Sequence, residues 1–178
     1  MQEQGANGAD KGTPPLFHEE QRFQIWMFWV PIAIVVGLVW YELYQQVFKG
    51  NPSGSHPIPD WAAWTLAIVF GIGLPVFGYL LRLITEVRPD ALILRVFPFR
   101  GTRVPVGEIE EAETRDYSAQ QEYSGWGVKN TRRSGRAYTA FGTKGVQLVL
   151  ADGDRLLVGS QKAAELAAAL REAGVLVR

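Results

Sequence analysis

The segment YSGWGVKNTRRSGRAYTAFGTKGVQL, Tyr123 to Leu148, interleaves glycine, aromatic and basic residues. Three kinds of chemistry use such a mixture: a glycine-rich phosphate cradle, an aromatic platform for bases, and a basic tip that meets anionic lipid or a partner. Gly125, Gly127, Gly142 and Gly145 match neither GxGxxG nor the P-loop spacing. They read as turns and bulges that need a left-handed backbone. Trp126 and Tyr138 could stack bases, but they read more simply as aromatics half-buried on a sheet. Lys129, Arg132, Arg133 and Arg136 fall at or beside the Ser134-Gly135 turn. They are the candidate contacts for anionic lipid headgroups or a protein partner, since a basic residue near an anionic leaflet gains about 1 kcal/mol.

The other reactive residue types are sparse. There is no cysteine, which excludes disulfides, thiolate catalysis and cysteine metal sites. The two histidines, His18 and His56, lie in an N-terminal tail and in a Pro/Gly/Ser-rich loop, where no zinc site or catalytic pair is expected. Glu108, Glu110, Glu111 and Glu113 are carboxylates without a partner histidine, and read as an acidic surface stretch. No catalytic residue, metal or cofactor is expected, and the chain does not read as an enzyme. The 18 basic and 18 acidic residues cancel, so nucleic acid is not an expected partner.

What positions the basic segment is a chain of two unlike halves. Residues 1–20 are polar and rich in Gly, Asp, Gln and Glu, and read as a disordered tail. Residues 21–84 hold two uncharged apolar runs, and helices are expected at about 23–47 and 60–84. Each run reaches the roughly twenty residues that cross about 30 Å of hydrocarbon. Trp26, Trp29, Trp40, Tyr41 and Tyr44 flank the first run, and Trp61, Trp64 and Tyr79 the second, as in an interfacial aromatic belt. The short connection makes them an antiparallel transmembrane hairpin. Ala63, Ala67 and Gly71 share one face of the second helix, and Ala33 and Gly37 have the same spacing in the first. Small residues so spaced let helices approach closely in lipid, within the hairpin or between copies. The loop carries only Lys49, whereas Arg82, Arg88, Arg95, Arg100 and Arg103 follow the second run. Both termini are therefore expected in the cytoplasm, with the protein in the inner (plasma) membrane.

Residues 85–178 change to short apolar runs punctuated by turns. Strands are expected at Ala91–Phe97, Arg103–Val106, about Glu111–Tyr117, Gly127–Thr131, Arg136–Phe141, Val146–Leu150 and Arg155–Gly159. Asp152-Gly153 is a hairpin signal. Ser160 suits an N-cap, Ala163, Leu166, Ala167 and Leu170 form a helical stripe, and Gly174 suits a left-handed cap. Antiparallel strands followed by one amphipathic helix give the order of a pleckstrin-homology-like (PH-like) split barrel capped by its C-terminal helix. The expected fold class is thus an α+β membrane protein.

The residues TEVRPDALIL, the GWG at Gly125–Gly127, AYTAFGTKGVQLVL and GSQKAAEL make the chain resemble a family of small uncharacterised bacterial membrane proteins with two helices and a C-terminal PH-like domain. The resemblance covers roughly Phe17 to Leu170. Where relatives tend to carry proline or glutamate after GSQK, this chain has Ala163, without consequence for the fold. The resemblance implies no activity and assigns no catalytic residue. The function expected is a membrane-anchored binding or scaffold module. The alternative is an accessory or assembly subunit of a larger membrane complex.

Overall fold

The structure, a computed structural model, describes residues 14–23, 26–51, 58–132 and 134–178. Most of the expected tail, His56 and Arg133 lie outside the described residues. The end of that tail is not a tail: Phe17–Arg22 is a strand, β1. It pairs antiparallel with β2, Arg82–Val87, in the register Phe17↔Val87 to Arg22↔Arg82. Its alternation escapes a hydrophobic reading because the inward positions are Phe17, Glu19 and Gln21. The polar two are satisfied by the other end of the chain. The Glu19 carboxylate accepts from the Ser160 hydroxyl (2.6 Å) and the Gln161 N–H (3.0 Å). Gln21 Nε2 donates to the Gly159 carbonyl (2.8 Å).

Between β1 and β2 come two helices, α1 (Trp26–Phe48) and α2 (Asp60–Leu80), both long and apolar enough to cross a membrane. Only 11% and 22% of their apolar windows are buried, which distinguishes them from core helices. α2 stops at Leu80, short of the expected 84, because Leu83 and Ile84 are spent on β2 and are buried in the sheet. The helix contact is knobs on a flat stripe. Ala63, Ala67 and Gly71 of α2 are buried, and Leu43 and Val39 of α1 pack on the two alanines. The Trp40 indole N–H reaches the Gly71 carbonyl at 3.4 Å. Two turns further along α2, a Cβ on Gly78 would meet Ile32 and Phe28 at 3.2 and 3.3 Å. Ala33 and Gly37, expected in the same contact, are exposed instead, and a Cβ on Gly37 would meet nothing within 4 Å. α1 contributes its large residues, so a second small face is not needed. Both helices contain a π-helical stretch, Tyr44–Phe48 and Ala67–Gly73.

The remaining elements form two sheets. The first is β1-β2-β3-β4, with β3 at Ala91–Phe97 and β4 at Thr102–Pro105, all antiparallel. A single 3₁₀ turn, Val106–Glu108, leads to the second. That sheet contains β5 (Ile109–Asp116), β6 (Gly127–Thr131), β7 (Gly135–Thr139), β8 (Lys144–Leu150), β9 (Arg155–Gly159) and β10 (Leu176–Val177). Its order is β10-β5-β8-β9-β7-β6. It is not purely antiparallel: β7 runs parallel to β9, and β10 parallel to β5. A short helix, α3 (Ala119–Tyr123), follows β5, and α4 (Ala163–Glu172) follows β9.

One core lies between the sheets and α4. Leu83, Leu92 and Leu94 come from the first sheet, Val146, Leu148 and Leu156 from the second, and Leu166 and Leu170 from α4. The helix presents the expected stripe, but its N-cap is Lys162. Ser160 lies two residues earlier, where its hydroxyl accepts from the Lys162 N–H and donates to Glu19. Gly174 ends the helix in a left-handed conformation (φ +102°). The chain is therefore α+β: two apolar helices followed by two mostly antiparallel sheets that do not close into a barrel.

Two stability differences follow. A Cβ on Gly71 would lie 2.6 Å from Trp40 Nε1, so Gly71→Leu should destabilise the hairpin by about 1–3 kcal/mol. Gly37→Leu should be nearly silent; thermal unfolding of the full chain in detergent compares them. In β1, Glu19→Ala strips the acceptor from the buried Ser160 hydroxyl and the part-buried Gln161 N–H and should cost about 1–3 kcal/mol. Glu20→Ala breaks only exposed contacts, the pair with Arg82 and a longer approach to His18, worth about 0–1 kcal/mol. Equal losses for Glu19→Ala and Glu20→Ala would reject this account of the strand.

Candidate functional site

The basic segment is a β-hairpin of β6 and β7, as expected. Gly135 closes it at φ +78°, and a Cβ there would collide with the Arg155 carbonyl of neighbouring β9. The tip is tied by its own side chains. Thr131 Oγ1 donates to the Gly135 carbonyl and accepts from the Ser134 N–H. The three described cations of this segment do not act as one cluster. Arg136 is half-buried and its guanidinium stands 3.7 Å from Asp154. Lys129 is half-buried and Arg132 exposed, and among the described residues neither forms an ion pair. Arg133 lies outside the described residues.

The tip is braced from behind. Arg115 on β5 donates to Glu122 (2.8 Å) and Gln147 (3.0 Å), and more weakly to the Tyr123 hydroxyl (3.4 Å). Tyr123 in turn donates to the Ser134 carbonyl at the hairpin tip (3.3 Å). Ser118 caps α3, and its own N–H donates to Glu122 (2.9 Å). The hydrogen bond from Arg115 holds the Glu122 carboxyl below its ordinary range, against its partial burial and with help from the Ser118 N–H. Burial opposes the charge on Arg115, yet the bond to Glu122 and its negative charge leave the guanidinium above its usual value. Burial pushes the Tyr117 hydroxyl up to about 12, with Tyr123 and Glu122 adding to it. These groups lock α3 to the sheet.

A different feature occupies the junction between the helices and the second sheet. A cavity of about 670 Å³ opens there, within the range of small-molecule sites. The helix ends supply Phe23, Met27, Phe28 and Leu81 as one wall. The β3–β4 turn covers it with Val96, Phe99 and Arg100. Opposite stand Trp126, Val128 and Tyr138 from the basic segment and its flank. The Tyr138 hydroxyl is held 2.7 Å from Thr102 Oγ1, which joins the two sheets across the cavity. Phe99 leans edge-on against Phe77 of α2, with ring centroids 6.2 Å apart. The β3–β4 turn thus reaches down beside the last turns of that helix.

Sequence reasoning placed Trp126 and Tyr138 on a sheet but did not join them to the helix ends. The one local signal was the exposed pair Phe99-Arg100, an aromatic and a cation side by side in a turn that needs neither. The helix-packing residues lie apart from this cavity, although Gly78, two turns beyond Gly71, sits against Phe28, which lines it.

The family model described as "Family of unknown function (DUF6141)" matches residues 10–176. No curated protein matches the chain.

The Arg115–Glu122 pair carries a signed pH dependence. Because Glu122 titrates below its unfolded value of about 4.3, its contribution is complete above that pH and is lost as pH falls through the lowered folded value. The denaturation midpoint of wild type should therefore exceed that of Glu122→Gln at neutral pH and converge with it in acid. A gap that stays constant into strong acid would mean that the pair does not supply this stability.

Proposed function

The chain belongs to this family of unknown function, DUF6141, and we propose from its own architecture that it is a membrane-anchored binding or scaffold module. In this reading α1 and α2 cross the inner membrane as a hairpin, and residues 82–178 with β1 form a PH-like domain at the cytoplasmic face. One observation carries it. The strands that enter and leave the hairpin, β1 and β2, are paired with each other over their whole length. The domain is held to the helix ends at two points, which suits a module that presents a surface at fixed height above a bilayer.

Supporting observations come from both halves. Apolar side chains such as Ile34, Leu38, Ile68 and Ile72 are exposed around the helices, where lipid would cover them. The Arg22 guanidinium lies 4.6 Å from the Tyr79 ring centre and Arg82 5.1 Å from Phe97, so cations and rings alternate at one end of the hairpin. That end is the basic one, which supports a cytoplasmic location for it. The PH-like reading rests on two sheets that share a core closed by a C-terminal helix. Of the basic tip, Arg132 and Lys129 are the side chains offered to a lipid headgroup or protein partner, while Arg136 is engaged by Asp154.

Because the chain has no cysteine, single-cysteine variants report topology cleanly. An impermeant thiol reagent applied to intact cells should label Ser53→Cys in the connection between the helices and spare Asp152→Cys in the exposed β8–β9 turn. The opposite pattern would invert the orientation. In the same cells, a photo-crosslinking residue at Arg132 should yield a discrete adduct. Its absence, with topology intact, would remove the tip as a contact surface.

A further inference from the structure

We propose that the junctional cavity is a lipid site: it takes an acyl chain of an anionic phospholipid drawn from the adjacent leaflet, with the phosphate at Arg100. The inference rests on the membrane-anchored reading above.

The cavity's position argues first. Its floor is made by Met27, in the first turn of α1, and Leu81, just past the end of α2. These are the residues at which an apolar span gives way to the domain. Phe99, in its cover, is in ring contact with Phe77, inside the apolar run of α2. A spanning hairpin therefore puts the mouth of the cavity at the boundary between hydrocarbon and headgroups, where a lipid chain enters without crossing water.

The lining argues for the chemistry. The walls are largely apolar, and among the described residues no carboxylate contributes to them. The one charged lining residue is Arg100, which is exposed and forms no ion pair among the described residues. An apolar chamber with one unengaged guanidinium at its cover matches an amphiphile with a negative head, because a guanidinium donates in a fork to phosphate oxygens. A zwitterionic lipid would bring its own cation to the same place. Val128 is 54% exposed although it faces this chamber from an edge strand, so an apolar side chain stands open on a wall that none of the described residues covers. The basic hairpin tip is a separate feature: the cavity uses the Trp126 end of β6, and Arg132 sits beyond its other end.

The test uses the full chain in proteoliposomes containing a phospholipid with a photoactivatable acyl chain, as either phosphatidylglycerol or phosphatidylcholine. Crosslinked peptides are mapped by mass spectrometry. With phosphatidylglycerol, adducts should fall on two sets of residues: the outward helix faces around Ile34 and Ile68, and the cavity walls around 96–100 and 124–128. Val128→Trp fills the chamber and should lower the second set about tenfold while sparing the first. Arg100→Gln, on an exposed turn, should reduce cavity adducts from phosphatidylglycerol to the level seen with phosphatidylcholine. Helix adducts without cavity adducts, or cavity adducts that ignore Val128→Trp, would overturn the lipid site and leave the anchor standing. Equal labelling by the two lipids in wild type would overturn the anionic preference. Loss of both sets would instead reject the anchor itself, and the site with it.

Discussion

The pairing of β1 with β2 is the constraint from which the rest of the structure follows. Paired strands lie about 5 Å apart, and each of these two leads within a few residues into an apolar helix. The ends of α1 and α2 are thereby fixed side by side before any contact between them is considered. Helices so tethered must pack at close range or splay. Small residues on α2 at the positions facing Trp40, Leu43 and Ile32 permit the first outcome. The same ladder sets the domain's orientation, because β2 is also the second strand of a sheet whose inner face forms the core.

The cavity is a by-product of that geometry. The first sheet continues from the helix ends through β2 and β3 to a turn that doubles back beside α2, where Phe99 meets Phe77. The second sheet presents its edge strand, β6, to the same place. The two sheets are also held together by β1, which is bound to Gly159, Ser160 and Gln161 at the end of β9. A void lined by Met27, Leu81 and Val128 is left at the corner where three rigid bodies meet.

Local pattern was enough for the two helices, most strands, the hairpin turns at Ser134-Gly135 and Asp152-Gly153, and the stripe of α4. It failed where side chains are satisfied by partners far along the chain. β1 has Glu19 and Gln21 at its inward positions, so its alternation looked polar throughout, and only Gly159 to Gln161 explain it. α2 was read too long because Leu83 and Ile84 extend an apolar run whether they continue a helix or enter a sheet. The parallel pairing of β7 with β9 leaves no trace in turn chemistry, which reports only neighbours in sequence. Ala33 and Gly37 show the reverse case: the same spacing without a contact inside the hairpin, because there the packing partner of a small residue is a large one. The candidate cavity was the least legible feature, since its walls come from segments near residues 27, 81, 99 and 128.

The order of elements along the chain also bears on how such a protein can assemble. β1 is made first, yet its partner follows it by more than sixty residues, and closing a long loop of flexible chain costs entropy that grows with the logarithm of its length. An antiparallel pair of helices removes most of that cost. Once α1 and α2 lie against each other, Arg22 and Arg82 are already neighbours, and the effective loop shrinks to a few residues. The ladder then needs only local zipping, after which Glu19 and Gln21 offer a docking edge for the strand and helix that complete the core. Hairpin, ladder and core thus stabilise one another in sequence. A fragment beginning at Thr85 would lack all of β1 and the first half of β2, exposing β3 as an edge and leaving the Ser160 hydroxyl without its acceptor. β1 is therefore part of the domain's folding unit, and the hairpin is joined to that unit through both β1 and β2 and not through a single tether.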